Sequence, residues 1–405
     1  MTPPRTVEEH AETIARLVEP LLAVAAAERV PLAEASGRVT AVAVRSDVDL
    51  PLFRNSQMDG YAVRSADIEH TPVALEVRGD IPAGHTVPVV LTPGTAVRIM
   101  TGAPVPSGAD AVVPVEDTEL VLGRDDDLSG AVVEIRRSRR PGEYVRERGS
   151  DLRRGDTLVD SGTRLAARHL AAIAAAGAEA VEVRARLRVG ILTTGAELVA
   201  AGATAEFGQV FDANGVALAA LVEECGALVS VRTATTDDHA EFERALQHAV
   251  SVSDIVVTSG GISKGAYEVV REVLEPHGAE VVTVAMQPGG PQATGVVSGV
   301  PVLSFPGNPV STQVSFTVFL RDLLRASAGL PAAPPSPAPL AAAVHSVAGK
   351  RQFLRGRRLQ DGTVQQVAGP SSHLVAAMAR SDVLIEVPTD TVDLAEGDDV
   401  TVWTL

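Results

Sequence analysis

The sequence predicts a multi-domain protein of α/β plus β class. A three-layer α/β domain with a mainly parallel sheet is joined by an inserted β-rich domain, an N-terminal helical and linker domain, and a C-terminal β-barrel-like domain. Three observations predict it. Continuous apolar strands alternate with helical patterns from Leu187 to Phe305, the signature of a parallel sheet covered on both faces. Short Val-rich stretches broken by Gly and Pro fill Thr71 to Arg146. A run with five prolines, Pro331 to Pro339, precedes further strand-like pieces. At 405 residues the chain exceeds one ordinary core. The expected partition is 1–47 with 147–184, then 48–146, 185–329 and 340–405.

From the N-terminus, Ile14, Leu17, Val18, Leu21 and Leu22 recur at helical spacing across Thr6 to Ala27, with Thr6 as N-cap and Glu9 completing a capping box. Val87–Val90 and Ala111–Val115 are examples of the Val-rich stretches that read as an inserted β domain. Thr163 to Ala176 is Ala-rich helix ended by Gly177. In the α/β domain, strands are expected at Leu187–Leu192, Leu228–Thr233, Ile255–Val257 and Val300–Phe305. Helices are expected at Val216–Glu224 behind Asn214, at Ala240–Val250 and at Tyr267–Glu275. Pro331 to Pro339 reads as a semi-rigid linker. Val383–Val387 and Val400–Trp403 are strands of the last domain, with a short helix near Leu374 to Ala379.

Composition narrows the function classes. Hydrophobic residues make up 45% and charged residues 21%, which is globular rather than disordered. The longest apolar runs stop short of the ~20 residues that span a bilayer, so no membrane segment is expected. The N-terminus lacks a secretory h-region, and a cytoplasmic location follows. Cys225 is the single cysteine, which excludes an intramolecular disulfide and a thiolate metal cluster. A formal net charge of −16 argues against nucleic acid as a partner, and an anionic ligand would require a local basic pocket.

Chemistry-bearing residues collect where strands end. Thr258-Ser259-Gly260-Gly261-Ile262-Ser263-Lys264-Gly265 follows an apolar strand and precedes a helix. Its glycines admit backbone N–H groups to an anion, while hydroxyls and Lys264 add donors. Pro306-Gly307-Asn308-Pro309-Val310-Ser311 forms a second such loop at a neighbouring strand end, and the pair makes a pocket for a phosphorylated small molecule. Glu197 follows one strand end and Asp237-Asp238 another. Carboxylates at one sheet edge suit Mg²⁺, although either aspartate equally suits a helix N-cap. Asp59, in Asn55-Ser56-Gln57-Met58-Asp59-Gly60-Tyr61, has the chemistry of a base, a water-orienting group or a metal ligand, or simply of an Asp-Gly turn. The eight arginines between Arg136 and Arg154 read mainly as a solvated charged face, and His373 as structural.

Four motifs then become recognisable. Asn55–Ala62, Arg98–Pro106, Ser259–Ser263 and Pro306–Ser311, supported by Arg351–Gly356 and Ser371–Leu374, resemble the molybdopterin molybdenumtransferase family, which includes MoeA and the gephyrin E domain. The resemblance spans nearly the whole chain. It implies four domains, the α/β one binding molybdopterin, and an elongated homodimer that works beside other molybdenum-cofactor biosynthesis proteins. It also implies an Mg²⁺-dependent enzyme that takes adenylylated molybdopterin and molybdate, releasing AMP and the molybdenum cofactor. Asp59, Thr101, Asp151, Glu197 and Asp237 stand where that family has functional polar residues. Asp59, Thr101 and Glu197 are thereby implied at the chemistry, with Asp237 and Glu197 at the metal. Substrate binding is implied for Asp151, for Ser259, Gly260, Gly261, Ser263, Lys264, Gly265 and Glu268, and for Pro306, Gly307, Asn308, Pro309 and Ser311.

The sequence also departs from the family. Thr283, Gln287 and Gly290 are uncharged in a segment where members usually carry lysines, and Glu268 replaces the common Asp. Lys264 is a candidate to restore one positive charge. A non-catalytic or altered-specificity molybdopterin-binding paralogue is therefore the alternative reading. A nucleotide pyrophosphatase fits less well, since it needs neither the Asp59 motif nor the flanking β domains.

Overall fold

The computed structural model describes residues 3–23, 26–84, 87–124, 127–262 and 268–405. The chain separates into two compact units, residues 29–182 and residues 1–28 with 183–405.

The second of these contains the α/β domain. Its six-stranded sheet runs in the order Leu228–Thr235, Arg188–Thr194, Ile255–Ser259, Val300–Phe305, Pro291–Val297, Glu280–Thr283. The first four strands are parallel, and the last two are antiparallel additions. The sheet is therefore mixed. Neither added strand carries a clear sequence signal of its own, since Pro291–Val297 opens on proline and holds Gly295, and Glu280–Thr283 is only four residues long. A local signal was available, since Ser298 and Gly299 lie between Val297 and Val300 with φ of 50° and 85°. Two central residues at positive φ make the I′-type hairpin that matches strand twist.

Each parallel strand is apolar on both faces because both are covered. Val189, Ile191, Ile255, Val257, Leu303 and Phe305 pack into one core with helices Val7–Ala23, Ala213–Glu224, Pro309–Phe319 and Arg321–Ser327. Leu192, Val256 and Val302 pack into the opposite core with His239–Val252 and Val269–Leu274. This gives the three layers expected. Glycine at position 190 lets the helix His239–Val252 approach: a Cβ there would lie 2.7 Å from Ser253 Oγ. The N-terminal helix starts on a reciprocal cap, with the Glu9 amide donating to Thr6 Oγ1 at 3.1 Å and the Thr6 amide to Glu9 Oε2 at 2.8 Å. Its stripe of Val7, Ile14 and Val18 is buried in the α/β core.

Several boundaries shift: the helix expected at Thr163–Ala176 runs Ala167–Ala175, the strand expected at Leu228–Thr233 runs to Thr235, and the helix expected at Tyr267–Glu275 is described over Val269–Leu274. The helix Ala213–Glu224 begins earlier than expected and is capped by Asp212, whose Oδ1 accepts from the Gly215 amide at 2.9 Å; Asn214 lies inside the first turn. The proline stretch is only partly a linker, because Ser336–Pro339 pairs antiparallel with Asp399–Thr404. It occupies an end of the hydrogen-bonded order, where proline is tolerated, and it buries Ala338.

In the C-terminal region, hydrogen bonding runs Arg351–Arg358, Val383–Val387, Asp399–Thr404, Ser336–Pro339, with Val364–Gln366 on the far side of Arg351–Arg358. A bridge between Leu340 and Val364 joins the ends of this circuit around a core of Leu354, Val383, Ile385, Val387, Val400 and Val402. Met286–Gln287, from the α/β domain, adds in parallel to the start of Arg351–Arg358.

Residues 29–182 hold another six-stranded sheet, ordered Ala111–Pro114, Gly60–Val63, Thr95–Ile99, Val73–Ile81, Asp127–Ile135, Thr118–Arg124. Tyr61, Val63, Leu75, Val77 and Val133 fill one face, and Ala62, Ile81, Val97, Ile99 and Val112 the other. The helix Ala167–Ala175 ends at Gly177, at φ 83°.

Candidate active site

A cavity of about 650 Å³ opens at the carboxyl ends of the parallel strands. This is where the winding changes direction, since Arg188–Thr194 is flanked by Leu228–Thr235 on one side and Ile255–Ser259 on the other. Glu197, Asp237, Ser259, Gly260, Gly261, Glu268, Pro306, Gly307, Asn308 and Ser311 all line it. The fold thus gathers most of the residues singled out in sequence. Pro309 instead opens the helix Pro309–Phe319 at its first turn. Ser263, Lys264 and Gly265 lie outside the described residues.

The two glycine loops touch. A Cβ on Gly307 would lie 3.2 Å from Gly260 Cα. Gly260 has φ 102°, and its Cβ would meet the Thr194 carbonyl oxygen at 2.5 Å, so both conformation and space demand glycine there. Beneath them, the buried Ser259 and Thr312 hydroxyls lie 3.1 Å apart, and Thr312 Oγ1 donates to the Pro306 carbonyl at 2.6 Å.

The adjacent aspartates divide the two roles open to them. Asp238 caps the helix His239–Val252, accepting from the Glu241 amide at 2.8 Å. Asp237 faces the cavity, its carboxylate accepting from Thr194 Oγ1 at 3.2 Å and from the Ala196 amide at 3.3 Å. The Glu197 carboxylate folds over Gly195, where a Cβ would come within 2.6 Å of Oε2. Two carboxylates with free lone pairs at one phosphate-sized loop pair fit Mg²⁺, which takes one or two carboxylates and fills its sphere with water and phosphate oxygens. Among the described residues no group of three His, Cys, Asp or Glu side chains is placed to hold a metal by itself.

The expected basic pocket is absent from the described lining. No lysine or arginine contributes to it, and its ionisable groups are Glu197, Asp237 and Glu268. The described lining offers an anion backbone N–H groups and hydroxyls. Of the three uncharged positions, Gln287 is on the wall, followed by Pro288 and Gly289.

Sequence reasoning missed Asn214, and it named Gln287 and Ser371-Ser372 only within the family motifs, without a place in the cavity wall. Asn214 had been read only as preceding a helix; its Nδ2 donates to Ser259 Oγ at 2.9 Å and to the Gly307 carbonyl at 2.6 Å. Gln287–Gly289 and Pro370–Ser372 close the cavity from segments distant in sequence. The buried Arg355 holds the latter, donating from Nη1 to the Ser371 carbonyl at 2.9 Å and from Nη2 to Gly369, and the Val310 amide donates to Ser372. Periodicity carries no signal for such long-range contacts, whereas the Asp212-Ala213-Asn214 triplet after a strand end was a local one.

Asp59, Thr101 and Asp151 belong to the unit 29–182. Asp59 is exposed, and its Oδ1 accepts from Thr101 Oγ1 at 2.7 Å and from the Thr101 amide at 2.6 Å. The Thr101 hydroxyl and then its amide hold the Asp59 carboxyl below its usual pKa, so it is a carboxylate at neutral pH. Asp151 is exposed, its amide donating to Leu50 at 3.0 Å. Of the arginines, Arg137 and Arg139 pair with Asp117, Arg148 with Asp49, and Arg136 with Glu119 and Glu134, as a charged face would. Ser371 Oγ and His373 Nδ1 share a hydrogen bond of 2.8 Å, a structural place for that histidine.

Comparison with known proteins gives the same family throughout. Residues 5–177 match the MoeA N-terminal region (domain I and II), 190–326 the "Probable molybdopterin binding domain", and 337–405 the MoeA C-terminal region (domain IV). Molybdopterin molybdenumtransferase 2 of Mycobacterium tuberculosis (strain ATCC 25618 / H37Rv) is 41% identical, over 99% of this chain and all of the relative. Molybdopterin molybdenumtransferase of Haemophilus influenzae is 32% identical over 93% of each. The crystal structure of the molybdopterin biosynthesis MoeA protein from Pyrococcus horikosii superposes with a TM-score of 0.78 at 33% identity, covering 97% of this chain and 98% of that one. The chain belongs to the molybdopterin molybdenumtransferase family.

Proposed function

We propose that this chain takes adenylylated molybdopterin and molybdate and releases AMP and the molybdenum cofactor, as a homodimer in the cytoplasm. The observation that carries the reading is the meeting of the Gly260 and Gly307 loops with Glu197 and Asp237 in one cavity. Among the described residues no helix is long and apolar enough to cross a membrane.

The reaction breaks a phosphoanhydride, with AMP as leaving group, while an oxyanion is brought to the pterin. Loop amides around Gly260, Gly261 and Gly307 bind phosphate oxygens, with the Ser311 hydroxyl as a further donor. Glu197 and Asp237 would hold Mg²⁺, which would supply positive charge to offset that of the anhydride. Asp59, held as a carboxylate and oriented by Thr101, acts near the chemistry, and Asp151 contributes to substrate binding. Lys264 supplies the positive charge that Thr283, Gln287 and Gly290 do not; Lys264→Ala leaving molybdate affinity unchanged would remove it from the reading.

The second reading, a molybdopterin binder without transfer activity, is favoured by one observation: no lysine or arginine in the described lining. A single assay separates the two. Protein is incubated with adenylylated molybdopterin, molybdate and Mg²⁺, and AMP is followed in wild type and Asp59→Ala. Molybdate-dependent AMP release by wild type, lost in the variant, supports the enzyme. Retention of the pterin without AMP release supports the binder and overturns the enzyme.

A further inference from the structure

The start of the helix Ala213–Glu224 ties three parallel strand ends together through two side chains, Asp212 and Asn214, two positions apart. Asp212, its cap, spends Oδ1 on the Gly215 amide and accepts with Oδ2 from Thr193 Oγ1 at 3.0 Å, reaching the end of Arg188–Thr194. Asn214 reaches the other two. Its Nδ2 donates to Ser259 Oγ, at the end of Ile255–Ser259, and to the carbonyl of Gly307, in the loop after Val300–Phe305. The amide has only one workable orientation, since the Gly307 carbonyl is an acceptor and must face the NH₂ group. Asn214 Oδ1 is buried and has no hydrogen-bond partner among the described residues. The fold tolerates this while keeping both Nδ2 bonds, as functional sites do when a local rule is broken.

We infer that Asn214 is a positioning residue for the substrate: it fixes the separation of the two glycine loops, and so the spacing of the amides that bind phosphate. The inference rests on reading the cavity as the molybdopterin site. Local chemistry at position 214 sets its signature. In Asn214→Asp the side chain keeps its shape but turns an acceptor toward the Gly307 carbonyl, so the loops are pushed apart. In Asn214→Ala the bonds are lost without repulsion. Ser259→Ala leaves the Gly307 bond in place.

Hydrogen exchange followed by mass spectrometry reads the staple directly in the full chain. Amides of 259–262 and of Gly307 and Asn308 should exchange about tenfold faster in Asn214→Ala and faster still in Asn214→Asp, with the far half of the helix, 218–224, unchanged. Ser259→Ala should affect 259–262 more than Gly307 and Asn308. Unchanged exchange at both loops in Asn214→Ala overturns the inference, and that variant decides even if Asn214→Asp fails to fold. Kinetics add the positioning signature: KM for adenylylated molybdopterin rises about tenfold in Asn214→Ala, with kcat lowered less. A fall in kcat at unchanged KM, per mole of folded protein, would assign Asn214 to the chemical step rather than to substrate positioning and would overturn the inference. If wild type releases no AMP, the proposed function fails, while the exchange measurement still decides whether Asn214 sets the loops.

Discussion

The cavity of the α/β domain and the Asp59–Thr101 motif of the unit 29–182 use the same residue types in opposite ways. In the cavity, Asp237 is held by two long bonds of 3.2 and 3.3 Å, so its carboxylate retains capacity for a ligand. Asp59 commits Oδ1 to two short bonds of 2.6 and 2.7 Å from a single residue, which fixes its direction while leaving it exposed. Glycine differs too. Gly260 needs both its φ of 102° and its empty Cβ position, whereas Gly60 needs only the space, since a Cβ would lie 2.0 Å from the Val113 carbonyl oxygen across the strand pair. One region is built to receive, the other to present.

The largest effect expected is on the receiving carboxylate. Asp237→Asn should lower molybdate-dependent AMP release on the order of 100-fold and raise the Mg²⁺ concentration needed. Asp59→Asn keeps an acceptor for Thr101 but not the charge, so a comparable loss assigns chemistry to Asp59. Activity near wild type would leave it a brace. Both are read in the same AMP assay.

The next effect is on stability. Gly260→Ala should cost about 2–3 kcal/mol through strain and the clash with the Thr194 carbonyl, seen as a lowered urea midpoint at unchanged m. A midpoint unchanged within error would mean the loop relaxes freely and does not need glycine.

A comparable effect depends on pH. His10 lies buried in the N-terminal helix with its ring edge-on to Phe319, centroids 4.8 Å apart. Burial, aided by the Arg5 charge and opposed by Glu280, lowers its pKa from 6.5 to about 4. The folded state therefore favours the neutral ring. Its contribution is complete above about pH 6.5 and is lost as pH falls toward 4, by roughly 3 kcal/mol. His10→Leu should flatten that part of the stability curve; an unchanged slope between pH 6.5 and 4 would assign the acid sensitivity elsewhere.

The smallest effect is a negative control. The Cys225 thiol is buried and its pKa is pushed up to about 12, chiefly by desolvation. It should resist a thiol reagent at pH 8 until denaturant is added, with no change in AMP release. Rapid labelling of native protein would show that the core around it opens.

Much of this was legible along the chain. The Ser259–Gly261 and Pro306–Gly307 loops announced themselves because each follows an apolar strand, and a strand running into glycine before a helix is a local pattern. Thr6 and Glu9 formed the cap their spacing required. The antiparallel strands Glu280–Thr283 and Pro291–Val297 were not legible, because the first is only four residues long and the second holds Pro291 and Gly295. Nor was the strand in Ser336–Pro339, where proline composition outweighed pairing.

By itself the sequence determined the family, the three-layer domain and the identity of the two glycine loops, all of which depend on residues near one another in the chain. Only the tertiary structure decided which of Asp237 and Asp238 faces the cavity. It also decided that Asn214 spans Ser259 and Gly307, and that Gln287–Gly289 and Pro370–Ser372 complete the wall. The reason is physical: capping and turn preferences act over three or four residues, whereas a cavity wall is set by packing between segments whose separation in sequence leaves no periodic trace.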